Sequence, residues 1–156
     1  MYSYFRVNIL IIDNDKNMKK TILLTSIATL IFIGCSEEPK LELSNPEAFA
    51  YTLDNGWEIN ATVNAAGFAQ TEKESTDLYF THLDYSVNLF TPQDSLFKVD
   101  YESFIDSTNE EYADLQLETQ IELDSGFSIG SYTIEFIVED IYSTTKDTIS
   151  TQVILE

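Results

Sequence analysis

The sequence predicts an all-β domain, an antiparallel sandwich of about seven short strands, and three observations carry that expectation. Residues 114–123, DLQLETQIEL, alternate without a fault: Leu115, Leu117, Thr119, Ile121 and Leu123 share one face, while Gln116, Glu118, Gln120 and Glu122 share the other. That is the period of a half-buried strand. The same alternation returns at short intervals, punctuated by Gly, Pro and Asp turns, over roughly 110 residues. No stretch carries a long helical period against it.

Taken in order, Phe49, Tyr51 and Leu53 give a first strand with those three side chains inward, and Asn55-Gly56 turns the chain into Trp57, Ile59, Ala61 and Val63. Ala66-Gly67 ends that run. Leu83, Tyr85, Val87 and Leu89 form the next strand, closed by Pro92-Gln93-Asp94. Residues 107–113, STNEEYA, predict a single helical turn capped by Ser107 or Thr108 ahead of the 114–123 strand. Asp124-Ser125-Gly126 and Gly130 then lead to Tyr132, Ile134, Phe136 and Val138. A hairpin-length loop over 140–147 precedes the last run of Ile149, Thr151, Val153 and Leu155.

Charge narrows the partners. Residues 36–156 hold 25 Asp and Glu against four lysines (Lys40, Lys73, Lys98, Lys146) and no arginine, a formal charge of −21. Phosphate backbones and anionic headgroups are bound by Lys and Arg displacing counterions, so nucleic acid is excluded as an expected partner. Eight Phe, seven Tyr and Trp57 remain in that segment. Acidic chains that stay disordered lack such core-forming residues, so this one is expected to fold.

The N-terminal segment has the anatomy of an export signal. Met18-Lys19-Lys20 is a short basic stretch, and Thr21 to Ile33 is an apolar run of 13 residues, short of the roughly 20 that span a bilayer. Phe32-Ile33-Gly34-Cys35 resembles the lipobox of bacterial lipoproteins, with Phe32 where Leu is usual. The resemblance implies cleavage before Cys35 and acylation of that cysteine, the only one in the chain. Residues 1–17 carry Asp13 and Asp15 where a signal is positive, and are expected to be a start codon placed too early or an extension. The expected organisation is therefore a signal peptide over 18–34, an acylated cysteine with a flexible tether over 35–47, and a sandwich over 48–156. Ser36-Glu37-Glu38 resembles the short acidic signals that send some lipoproteins to the outer face of the outer membrane.

Gly130-Ser131-Tyr132-Thr133-Ile134, followed by Phe136, Val138 and a closing strand, resembles the last two strands of bacterial immunoglobulin-like domains. The resemblance implies an immunoglobulin-like antiparallel sandwich with Tyr132 at the corner position. Ile134 stands where antibody domains have a cysteine, so packing replaces the disulfide. It implies a fold class and no function.

Catalytic motifs are scarce. His82 is the single histidine and is expected just ahead of its strand, half-buried or exposed; a zinc site or histidine triad would have to use it. No phosphate loop, nucleophile elbow or cysteine pair occurs. Carboxylates are the one group in surplus: Glu110, Glu111 and Asp114, and Glu139, Asp140 and Asp147, are the groups able to hold calcium, although neither has the spacing of a dedicated loop. Asp94-Ser95-Leu96, Asp106-Ser107-Thr108 and Asp147-Thr148-Ile149 are similar to an O-glycosylation acceptor, but fit better as turns in which the Asp or Ser bonds the local backbone.

The expected function is a non-catalytic, lipid-anchored binding or structural module of the bacterial envelope, at the cell surface or facing the periplasm, without cofactor or metal. Cys35 is its one assigned site, for lipidation, and its ligand is an envelope protein or glycan. The alternative is an acidic inhibitor or immunity lipoprotein steered onto a basic toxin or lysozyme-like enzyme. A small carboxylate-dependent hydrolase is the third reading.

Overall fold

The computed structural model describes residues 40–73 and 75–156. Cys35, the export signal and the Ser36-Glu37-Glu38 stretch lie outside the described residues. The described part is all-β: β1 (Glu42–Leu53), β2 (Gly56–Ala66), β3 (Thr71–Lys73), β4 (Leu78–Phe90), β5 (Ser95–Thr108), β6 (Asp114–Asp124), β7 (Gly130–Asp140) and β8 (Lys146–Leu155). Every pairing is antiparallel. One sheet has the order β1-β2-β6. The other runs β5-β4-β7-β8, with β3 paired to the start of β4, and one of the two sheets curls into a half-barrel.

Alternation decides which side chains meet between the sheets. β2 contributes Ile59, Ala61 and Val63, β6 contributes Leu117 and Ile121, and β4 contributes Leu83, Val87 and Leu89, all buried. Tyr132, Ile134, Phe136 and Val138 of β7 are wholly buried, as is Leu155 of β8. Each Val, Leu, Ile or Phe among them contributes about 1.5–3 kcal/mol by leaving water. The Tyr132 hydroxyl donates to the Ser128 carbonyl at 2.6 Å, so the phenol is buried with its polar atom satisfied. Burial pushes that phenol's pKa up.

Polar bonds close both sides of the sandwich. On one, the Leu43 N–H of β1 donates to Asp147 Oδ2 of β8 at 2.8 Å. On the other, the Tyr85 hydroxyl reaches the Glu118 carbonyl at 2.8 Å, and Thr119 Oγ1 donates to Asp100 Oδ2 at 2.5 Å. Glycine is required at the first hairpin: a Cβ on Gly56, whose φ is +143°, would lie 1.9 Å from the Leu123 carbonyl oxygen.

Five expectations are corrected. The tether does not extend to residue 47, because Leu41 and Leu43 are buried and β1 begins at Glu42. Within β1 the register is reversed: Phe49, Tyr51 and Leu53 are exposed, and Ala48 and Ala50 pack toward the core instead. Residues 107–113 form no helical turn; Ser107 and Thr108 end β5, a strand of 14 residues that the alternation did not reveal. With β3 as well, the strands number eight rather than about seven. His82 lies inside β4 rather than ahead of it.

Candidate functional site

The candidate chemistry lies on the two outward faces. On the five-stranded sheet, β4 turns His82 and Asp84 outward, and β5 sets Tyr101 and Ser103 beside them. Asp84 is the hub: Oδ1 accepts from Ser103 Oγ at 2.6 Å and contacts His82 Nε2 at 3.2 Å, while Oδ2 accepts from the Tyr101 hydroxyl at 3.0 Å. Ser103 above all, then Tyr101 and His82, hold the Asp84 carboxyl below its ordinary pKa. A serine nucleophile needs its hydroxyl on the imidazole. Here the hydroxyl goes to the carboxylate, so the Ser, His and Asp side chains are gathered without the order of a triad. The His82 ring packs edge-on against Tyr142, with centroids 6.3 Å apart.

Neighbouring polar groups on this face are also partnered. Buried Asn88 donates to Glu135 at 2.8 Å and accepts the Lys98 N–H at 2.9 Å, where φ is +52° and β5 bulges away from β4. Bulges and charges on an edge strand block pairing with other chains. Glu139 meets Lys146 at 2.8 Å.

The expected carboxylate groups do not converge. Glu139 and Asp140 are neighbours in a strand, so they point to opposite faces. Asp140 is wholly buried and accepts from Ala69 N–H at 2.7 Å, Tyr142 N–H at 2.9 Å and Ser143 Oγ at 2.5 Å. It therefore ties the chain after β2 to the β7–β8 loop. Asp147 is bonded to β1, as given above. Of the other group, Glu110 and Glu111 lie in the β5–β6 loop and Asp114 opens β6. Among the described residues no three His, Cys, Asp or Glu side chains are grouped as metal ligands. Each Asp of the three Asp-Ser/Thr triplets accepts the next residue's N–H, at 2.7, 2.7 and 2.8 Å, leaving Ser95, Ser107 and Thr148 exposed.

The three-stranded sheet presents a different face. Register sets three successive rungs across β1, β2 and β6: Glu47–Thr62–Glu118, Phe49–Asn60–Gln120 and Tyr51–Glu58–Glu122. Phe49 is 58% and Tyr51 57% exposed. Glu58, on the central strand, is held between two amides: Asn60 donates to Oε1 at 2.7 Å and Gln120 to Oε2 at 2.5 Å. The sequence reading missed these rings as surface groups, since it assigned the larger residues of β1 inward. The alternating alanines were the available signal, because Ala48 and Ala50 suit a close approach to the other sheet.

No protein-family model matches this chain, and no characterised protein matches it in sequence.

Proposed function

We propose that this chain is a non-catalytic binding module of a bacterial envelope, held at the membrane by an acyl group on Cys35. The observation that carries the binding role is the Phe49–Tyr51 pair. Two aromatic rings more than half exposed on a sheet face add nothing to the core, and aromatic side chains are the residues that anchor interfaces. The lipobox-like Phe32-Ile33-Gly34-Cys35 supports the anchor, and burial begins at Leu41, so residues 36–40 could span at most about 18 Å. The domain would stand close to the membrane.

An immunoglobulin-like sandwich fits the strand order. With β1, β2 and β6 as one sheet and β4, β7 and β8 in the other, the chain has the A-B-E and C-F-G partition of that fold, and β5 adds to the second sheet beside β4. The Tyr132–Ser128 bond supports the corner role proposed for Tyr132, a hydroxyl reaching backbone a few residues upstream.

Two experiments test this reading. Metabolic labelling with a clickable palmitate should mark the protein, and Cys35→Ala should abolish the label; retained label would remove the anchor. A photo-crosslinking residue at position 51 in intact cells should give a discrete adduct that the same residue at exposed position 154 does not. Equal results from both positions would remove the binding face.

A further inference from the structure

We infer that the outward face of the three-stranded sheet docks a basic protein, with Phe49 and Tyr51 stacking on its arginine side chains and Glu58, Glu118 and Glu122 taking their charge. This rests on the binding-module reading and names its partner's chemistry.

Charge complementarity selects the occupant. None of the three rungs holds a lysine or arginine. Of the four lysines after Cys35, Lys73, Lys98 and Lys146 lie in the five-stranded sheet and Lys40 precedes β1. The negative field of a segment with charge −21 is thus least compensated on this face. A second copy of the chain, an anionic lipid surface or a nucleic acid would be repelled. A neutral glycan would stack on the rings and gain nothing from the acids around them.

The geometry suits guanidinium groups in particular. Successive same-face side chains on a strand lie about 6.6–6.8 Å apart, and neighbouring strands about 4.7–4.9 Å apart. A cation seated over Tyr51 or Phe49 therefore has a carboxylate within a strand or two, satisfying ring face and charge together. Glu58 is fixed by Asn60 and Gln120 before any partner arrives, so little side-chain freedom remains to be lost on binding. Among the described residues Glu118 and Glu122 make no side-chain bond of their own, and they remain open to an incoming donor.

The test uses the full chain in mild detergent, with a short oligoarginine peptide, an oligolysine peptide of equal length and a neutral β-glucan oligosaccharide as probes. Oligoarginine should bind more tightly than oligolysine, and both should weaken steeply with added salt. The double variant Phe49→Ala, Tyr51→Ala should lose roughly tenfold or more of the oligoarginine affinity and much less of the oligolysine affinity. A circular-dichroism melt confirms that the variant is folded. Unchanged oligoarginine binding by the double variant, or no peptide binding by the wild type, overturns the inference. Salt-insensitive glucan binding that the double variant loses would also overturn it, while leaving the binding-module reading intact.

Discussion

Across β7 and β8, Glu139 stands opposite Lys146 and their charged groups meet at 2.8 Å. Across β2 and β6, Glu58 stands opposite Glu122. Both pairs stand directly opposite on antiparallel strands at the two outer faces, yet one joins opposite charges and the other sets like charges together, which costs a fraction of a kcal/mol. The contrast extends outward from each pair. On the five-stranded sheet Asp84 is held by Ser103, Tyr101 and His82, and Glu135 by Asn88. A surface that satisfies itself in this way gains little from a partner. β5 exposes Phe97 and Tyr101 as β1 exposes Phe49 and Tyr51, but Tyr101 is tied to Asp84. The three-stranded face instead sets its rings beside Glu118 and Glu122, acids with no side-chain bond among the described residues, at some cost in stability.

The largest test of the contrast compares two tyrosines. Tyr132→Ala removes a wholly buried ring and should cost about 3–5 kcal/mol, while Tyr132→Phe, losing one hydrogen bond, should cost nearer ~1 kcal/mol. Tyr51→Ala removes an exposed ring and should change stability by less than about 0.5 kcal/mol. Denaturant midpoints give the order. A large loss at position 51 would mean that its ring is a folding residue, and the case for a binding face would go with it.

Carboxylates give the next test. Asp140→Ala leaves the Ala69 and Tyr142 N–H groups and the Ser143 hydroxyl without their acceptor in a buried site, at a cost of about 3 kcal/mol. Glu118→Ala, on the open face, should fall within about 0.5 kcal/mol of wild type. Asp84 adds a pH signature. Its folded pKa lies below the ordinary 3.8, so its stabilisation is present above that value and is lost as pH falls through the folded pKa. The stability gap between wild type and Asp84→Asn should therefore be open near about pH 6 and narrow below about pH 4. A gap constant across that range would show that the Ser103, Tyr101 and His82 contacts do not depend on the charge.

Strands β2, β4, β6, β7 and β8 were legible in the sequence because each has one large apolar face and one polar face, as in Leu115 to Leu123. β5 was hidden by its position. It pairs only with β4, the bulge at Lys98 breaks its period, and Phe97, Tyr101 and Ile105 are exposed, so hydrophobicity no longer reports burial. β1 shows a second limit. Period-two alternation locates two faces without saying which is inner, and Ala48 and Ala50 rather than the flanking rings face the core. The Asp84 hub and the Glu58 clamp both join residues from different strands, and only the register brings them together.

The smallest expected effect lies at the Glu58–Glu122 pair itself. If Glu58 and Glu122 repel, Glu122→Lys should convert the pair into the kind already present at Glu139–Lys146 and raise stability by about 0.2–1 kcal/mol at low ionic strength. Screening should erase most of that gain near 1 M salt, where the Debye length is only about 3 Å. The side chain at 122 is exposed, so packing contributes little to the difference. On the other face, Lys146→Glu should produce the reverse, a loss of similar size with the same salt dependence. The same Glu122→Lys protein should bind oligoarginine more weakly than wild type, because it places a positive charge within the proposed docking surface. Stability and binding would then move in opposite directions for one substitution. If Glu122→Lys lowered stability at every salt concentration, the acids of this face would be supporting the fold, and the distinction between the two outer faces would fail.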